Sequence, residues 1–324
     1  MIPAILLSGL LSVVVILILN VLLGYVLARS AHYKLSIGIA WSVLSLGMFL
    51  TECISEAFPP VLRMLCIILV TLFGMKSIVA VEYYNGKDRR LNFIQWISFV
   101  AGWFGMRPNL FETLGSGSLQ GGDELVKFGL KRIAVGTGLI FLSGYIYNNL
   151  PGVFFQILST VLAIIGVSLV LHFGILNITA GFWRTKGADT RTLFKEPMRS
   201  VRLSEFWGKR WNLAFSEMTA IALYRPLKTR IGEKAAMVTA FVFSGLLHEV
   251  AISVPVKAGY GLPLLYFFVQ GILIIIERKL EHIGILENKL IARCWVFTGL
   301  ILPFPVLFHI WFLRGIIWPL ITWY

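Results

Sequence analysis

Residues 5–28 read ILLSGLLSVVVILILNVLLGYVLA, twenty-four residues without a charge. A helix of that length covers about 36 Å, enough to cross the roughly 30 Å hydrocarbon core of a bilayer. An open strand cannot satisfy its backbone groups in hydrocarbon, so the run must be helical. No lysine or arginine precedes it, it is longer than a signal-peptide core, and it lacks a clear A-x-A site. It is therefore expected to be a retained first span rather than a cleaved signal.

The same reading extends along the chain. Apolar runs occupy Leu35–Thr51, Val61–Val81, Leu91–Met106, Ile133–Tyr147, Val153–Ile175, Ala235–Val254, Gly261–Ile276 and Cys294–Ile321. Leu91–Met106 is short and ends in Gly105-Met106-Arg107-Pro108, which predicts a re-entrant or interfacial piece. Pro303 and Pro305 predict a kink in the last run. The expectation is a single all-α polytopic membrane domain over residues 1–324, with about eight transmembrane helices plus re-entrant or interfacial helices. Internal repeats, low-complexity tracts and a soluble domain are not found.

Composition agrees. Of the 324 residues 57% are hydrophobic and 14% charged, where a soluble domain carries about 25% charged. The net charge of +13 sits mainly between the apolar runs. That placement fits the positive-inside bias of membrane proteins and not a nucleic-acid surface. The three cysteines, Cys53, Cys66 and Cys294, form no C-x-x-C pair. They imply neither a disulfide framework nor a zinc site and read as buried apolar thiols.

Loop charges orient the bundle. Arg29 and Lys34 follow the first run, and Lys87, Arg89 and Arg90 follow the third. The segment 182–234 carries twelve basic and five acidic residues, a net +7. Arg278, Lys279, Lys289 and Arg293 precede the last run, whereas the alternate loops are poor in basic charge. All basic loops share one face if Leu91–Met106 does not cross, which gives eight spans with both termini outside.

Three stretches carry polar chemistry. Ser204-Glu205-Phe206-Trp207-Gly208-Lys209-Arg210-Trp211-Asn212 opens an amphipathic stretch to Leu223, closed by Tyr224-Arg225-Pro226. Its aromatics and cations suit the headgroup level, so an interfacial anchor is one reading. Phe243-Ser244-Gly245-Leu246-Leu247-His248-Glu249 places ionisable groups inside an apolar run, where they are functional candidates by default. Ser244 lies one helical turn before His248, and Gly245 leaves room beside the imidazole. Leu171-His172-Phe173-Gly174 runs on to Phe182-Trp183-Arg184, and His172 reads as a polar histidine near the inner end of its span. His309, in the final run, rivals His248, while His32 and His282 lie among loop charges.

These stretches resemble the wax-synthase branch of the membrane-bound O-acyltransferases. The resemblance runs from about residue 90 to the C-terminus, with a specific core in Leu171–Glu249. Residues 1–90 match in hydrophobicity alone. It implies transfer of a fatty acyl group from acyl-CoA, as co-substrate, to a lipid alcohol, in a bacterial inner membrane or the endoplasmic reticulum membrane. It implies His248 as catalytic base and Asn212 as the second functional polar position. Trp207, Lys209, Arg210, Trp211, Arg225 and Ser244 are expected to contact substrate. No metal or bound cofactor is expected.

Histidine suits the role because its reference pKa, about 6.5, lies near working pH. A base that takes the alcohol proton during attack accelerates acyl transfer by about 10²–10⁴-fold. Asn212 could donate to the thioester carbonyl as charge develops on it, or orient the acceptor. Lys209, Arg210, Arg225 and Lys228 are candidates for the phosphates of the donor. A sterol or another hydroxyl compound is the alternative acceptor. A proton-coupled transporter, with His248 and Glu249 as relay, is the rival from another class, although paired half-repeats are not found. Magnesium-dependent transfer wants clustered aspartates, and Asp88, Asp123 and Asp189 lie far apart in sequence.

Overall fold

A computed structural model describes residues 2–322 of the chain, and among them every regular element is helical. Helices α1 (Ile2–Leu27), α2 (Tyr33–Ile54) and α3 (Pro60–Tyr84) pack on one another. A short helix α4 (Phe93–Gly102) follows, then α5 (Gly122–Asn149) and the long α6 (Val153–Thr185). After an inner segment come α7 (Glu233–Val256), α8 (Leu262–His282) and α9 (Lys289–Ile301).

Six segments are long and apolar enough to cross a membrane: α1, α2, α3, α6, α7 and Lys289–Leu307, which contains α9. Helices α5 and α8, 28 and 21 residues long, bring the number of long helices to eight. They carry charge at one end: Asp123, Glu124, Lys127, Lys131 and Arg132 in α5, and Glu277, Arg278 and Lys279 in α8.

Contacts between loops sort the ends into two layers. On one side Lys257 meets Glu56 at 3.0 Å, Arg63 pairs with Glu52, and Asn148 donates to the carbonyl of Ile321 at 2.8 Å. On the other, Arg29 donates to the carbonyl of Leu91, Arg202 meets Glu281 at 2.5 Å, and Arg278 meets Glu233 at 3.2 Å. The second layer holds the basic loops.

Helix α4 enters from that basic layer and returns to it. It starts with a reciprocal cap, in which Asn92 Oδ1 accepts from the Gln95 N–H at 2.9 Å and Gln95 Oε1 accepts from the Asn92 N–H at 3.0 Å. Ten residues reach only about 15 Å, so its C-terminal carbonyls end inside the bundle. Lys76 of α3, fully buried, donates to the carbonyls of Phe99 at 2.5 Å and Gly105 at 3.0 Å. Its Nζ also lies 4.0 Å from the Phe99 ring centroid, and Trp183 Nε1 donates to the Gly102 carbonyl at 2.6 Å. The amine thus supplies N–H donors to carbonyls that the helix end leaves unpaired. The chain then turns back, since Arg89 and Gln95 each donate to the carbonyl of Glu112 at 3.2 Å.

Helices α5 and α6 approach through glycine. A Cβ on Gly129 would lie 2.7 Å from the Gly174 carbonyl, and one on Gly136 equally close to that of Gly166. Ser143 extends the seam, donating to the Ser159 carbonyl at 2.7 Å. Small residues at such a seam let backbones meet without a side-chain layer between them. The steps along α5 are seven residues each, but on α6 Gly166 and Gly174 are eight apart. The extra residue is absorbed by a π-helical stretch, Leu169–Ile175. Because α6 continues to Thr185, His172 sits 13 residues, about 20 Å, from its inner end. It therefore lies well inside the helix and not near its end as expected from the sequence.

Two other expectations are corrected. The last run breaks at Pro303 as expected, α9 ending at Ile301 before a turn over Phe304–Leu307, but it does not continue as one helix: a second break at Phe308-His309 leads to short turns over Ile310–Leu320. Of the cysteines only Cys66 is buried; Cys53 and Cys294 lie exposed on helix surfaces, where lipid can accept an apolar thiol as well as protein can.

Candidate active site

The inner segment from Leu203 to Ile231 is a string of short helical pieces rather than one amphipathic helix. Two π-helical turns, Phe206–Arg210 and Ala220–Tyr224, flank the helix Leu213–Thr219. Ala214, Met218 and Ala222 are buried in one cluster with Met75 and Ile78 of α3 and Phe99 of α4. The segment therefore dips between the spans, and the interfacial reading of it falls. Buried apolar contacts with α3 and α7 replace the lipid contacts that an interfacial helix would make.

Its entry is fixed by a carboxylate. Glu277 of α8, fully buried, accepts from the N–H groups of Leu203 at 2.5 Å and Ser204 at 3.1 Å, and from Ser204 Oγ at 2.9 Å. These are the donors that a helix start leaves unpaired. Beyond them, Trp207 Nε1 donates to Gln270 Oε1 at 3.1 Å, and Gln270 Nε2 donates to the Gly299 carbonyl at 2.8 Å. The indole nitrogen of Trp207 is thus used within the fold, while its ring packs 5.6 Å from that of Phe267.

Asn212 follows in the left-handed region, at φ 43°. Asparagine tolerates this conformation better than most side chains. Its Oδ1 accepts from the Phe215 N–H at 3.3 Å and caps the helix Leu213–Thr219. The amide Nδ2, a donor, has no hydrogen-bond partner among the described residues. Three residues on, the Phe215 ring lies 5.1 Å from that of His248. His248 is 15 residues, about 22 Å, from the inner end of α7. The inner segment thus reaches the depth of the histidine, through Phe215.

The His248 ring lies between Phe215 and Phe267, the latter at 4.1 Å, and the residue as a whole is half-buried. Its Nδ1 is 2.7 Å from the Ser244 carbonyl. A carbonyl only accepts, so Nδ1 carries the proton and donates, which leaves the lone pair of the neutral ring on Nε2. No described residue hydrogen-bonds Nε2. The Ser244 hydroxyl is turned away, donating to the Ala240 carbonyl at 2.9 Å. Gly245 fits against α8, where a Cβ would meet Leu264 Cα at 2.9 Å.

His309 is arranged in the opposite way. It is buried, its Nδ1 accepts from the Phe312 N–H at 3.2 Å, and Nε2 is 3.3 Å from Ser253 Oγ. Both ring nitrogens are engaged in the fold. Glu249 is engaged as well, accepting from the N–H groups of Gly261 at 2.9 Å and Leu264 at 3.3 Å at the start of α8.

The four expected cations divide. Arg210 is held by Glu205 at 2.8 Å, and Lys228 by Glu233 at 3.2 Å. Lys209 and Arg225 are exposed and make no salt bridge among the described residues, although Lys209 lies near enough to Glu205 to help hold its carboxyl below the ordinary value. Trp211 stacks on Phe206, with ring centroids 5.4 Å apart, and meets Phe194 at 4.9 Å. Partial burial alone would push the Asp189 carboxyl up, but Arg191 and Arg184 outweigh it and hold it below the ordinary carboxylate value.

Sequence reasoning passed over Lys76, Glu277 and Gln270. The signal for each was present, a charged or amide side chain within or at the end of an apolar run.

Residues 190–270 match the family described as "Membrane bound O-acyl transferase family". A long-chain-alcohol O-fatty-acyltransferase of Simmondsia chinensis is 36% identical over 74 residues, 20% of this chain and 21% of that protein. Probable long-chain-alcohol O-fatty-acyltransferase 6 of Arabidopsis thaliana is 28% identical over 116 residues, 34% of this chain and 32% of that protein. Probable long-chain-alcohol O-fatty-acyltransferase 7 of the same plant is 26% identical over 179 residues, 52% of this chain and 51% of that protein. The matched stretches span from about a fifth to about half the length of these relatives. The stretch 190–270, which holds both Asn212 and His248, is thus similar to the membrane-bound O-acyltransferases, and the resemblance to their wax-synthase branch is borne out.

Proposed function

We propose that the protein transfers a fatty acyl group from acyl-CoA to the hydroxyl of a lipid alcohol within the membrane, with His248 as general base. One observation carries the reading: the Nδ1–H of His248 is committed to the Ser244 carbonyl, and Nε2 is left without a hydrogen-bond partner among the described residues, deep in a helix inside the matched stretch. The long-chain-alcohol relatives favour a fatty alcohol as acceptor over a sterol or other hydroxyl compound.

In this reading Nε2 takes the hydroxyl proton as the alcohol oxygen attacks the thioester carbonyl carbon. Negative charge gathers on the carbonyl oxygen, where the free Nδ2–H of Asn212 can donate. Collapse of the tetrahedral intermediate expels the thiolate of CoA, which takes the proton back from the imidazolium. The ester and free CoA leave, and the ring returns to its starting tautomer. The aromatic walls of Phe215 and Phe267 keep water from the thioester and favour alcoholysis over hydrolysis. Lys209 and Arg225, exposed and outside any salt bridge, are the better candidates for donor phosphates than Arg210 and Lys228, which are held by carboxylates.

A proton relay through Glu249 is disfavoured because that carboxylate already accepts two backbone N–H groups. The test uses purified protein with long-chain acyl-CoA and a fatty alcohol, and measures ester and free thiol together. Equal amounts of both are expected, with His248→Ala inactive. Full turnover in His248→Ala removes the base, and proton-coupled solute uptake without thiol release moves the protein to the transporter class.

A further inference from the structure

The π-helical stretch that keeps Gly166 and Gly174 on the α5 seam also turns another face of α6 toward the inner segment. There the stretch presents His172, whose ring packs 4.7 Å from Phe194 and 5.9 Å from Trp211, the residue before Asn212. His172 is partly accessible. Its Nδ1 is 3.1 Å from Ser168 Oγ, and Nε2 has no partner among the described residues.

Its position along the inner segment is informative. Two backbone bonds, Lys195 N–H to the Arg210 carbonyl and Leu213 N–H to the Leu193 carbonyl, both 2.8 Å, hold Phe194 beside Trp211. Lys195 and Lys209 are exposed at the basic layer. Counted from the inner ends of their helices, His172 lies about 20 Å deep and His248 about 22 Å, so the two rings sit at similar depth, His172 against Trp211 and His248 against Phe215 of the same segment. A donor whose thioester reaches His248 brings the thiol end of its pantetheine arm to about that depth. That arm carries two amides, and an amide taken from water without a hydrogen-bond partner is costly.

We propose that His172 is a substrate-binding residue of the same site, its Nε2 hydrogen-bonding an amide of the donor's pantetheine arm. The proposal rests on the acyl-CoA reading above. The neutral ring can serve as donor or acceptor at Nε2, according to how the Ser168 hydroxyl is turned.

The test compares two donors with the same acyl chain, acyl-CoA and an amide-free thioester of a simple alkanethiol. The second is read as substrate or as a competitor of acyl-CoA. His172→Phe keeps the aromatic packing and removes the nitrogen, and His172→Met removes it should the Phe variant not purify as a single species. KM for acyl-CoA is expected to rise about tenfold, equivalent to about 1.4 kcal/mol. Affinity for the amide-free thioester and KM for the alcohol should stay within twofold, and His172→Gln should recover most of the loss. An equal loss with both donors, or an unchanged KM for acyl-CoA, overturns the proposal while leaving acyl transfer itself standing. A wild-type protein inactive with acyl-CoA and unable to bind it removes the parent reading and this one with it.

Discussion

His248 and His309 invite a paired substitution, because one ring leaves a nitrogen free and the other uses both in the fold. His309→Ala strips the Phe312 N–H of its acceptor, a buried loss of about 1–3 kcal/mol. It also leaves a void where the ring packs between Ser253 and Phe312, worth about another 1–2 kcal/mol for partial collapse. At about 2–4 °C per kcal/mol for a chain of moderate size, the midpoint of thermal unfolding in detergent should fall by roughly 4–20 °C. Turnover per folded molecule should hold within a few-fold. His248→Gln keeps most of the volume between Phe215 and Phe267 and gives up one bond to a carbonyl of its own helix. Its midpoint should move by only about 2 °C, while turnover falls by about 10²–10⁴-fold. The assay is fluorescence-monitored unfolding beside ester formation on the same preparations. Reversed behaviour, with His309→Ala stable but inactive and His248→Gln active, refutes the assignment made from nitrogen occupancy.

Asn212→Gly keeps the left-handed backbone and removes the amide, so turnover should drop at least about tenfold with the fold intact; unchanged ester formation would strip Asn212 of any part in the chemistry. Glu277→Ala leaves the Leu203 and Ser204 N–H groups without an acceptor and should destabilise by about 2–4 kcal/mol, read as a lower unfolding midpoint and slower turnover although Glu277 is remote from His248 in the chain. A midpoint equal to wild type would mean that water or another group caps that helix start. Asp189 has a depressed folded pKa, so its stabilisation is complete above its unfolded value of about 3.9 and is lost as pH falls through the lower folded value. Unfolding midpoints should therefore drop below about pH 4, and Asp189→Asn should flatten that drop; an identical acid limb in the variant would exclude the Arg184–Asp189–Arg191 contacts as a cause. Single cysteines at Lys87 and Lys209 should label from the same face of sealed vesicles, and labelling from opposite faces would mean that α4 crosses.

The sequence made the bundle readable wherever a run was both long and apolar, because hydrocarbon leaves the backbone no choice but helix. Leu91–Met106 was legible as a non-crossing piece from its length and its Gly-Met-Arg-Pro end. The device holding it, Lys76, was not foreseen, since the partners of a lysine in α3 lie 29 residues away at Gly105. Whether the inner segment lies at the interface or dips between the spans stayed open for a related reason. Amphipathicity reports that one face is apolar, and does not say whether lipid or protein covers it. Trp207 and Ser244 were expected at substrate, yet their polar atoms face Gln270 and Ala240; hydrogen-bond partners distant in sequence, or a turned rotamer, leave no trace in composition. The depth of His172 was hidden because the polar tail Asn177–Thr185 continues a helix whose apolar run stops near Ile175.

The buried Lys76 also bears on how the chain is made. Ribosomal synthesis delivers α3 before the carbonyls that will receive its amine exist, and at about 5–20 residues per second the Gly105 carbonyl is polymerised roughly 1.5–6 seconds after Lys76. During that interval the helix must enter the bilayer with its lysine unmatched, a penalty of about 2.5–3.5 kcal/mol on the insertion scale. The neighbouring leucines, isoleucines and valines of α3 have to carry it alone. A chain stalled or truncated between the two positions should therefore be the one most readily returned to the cytoplasmic side or handed to quality control.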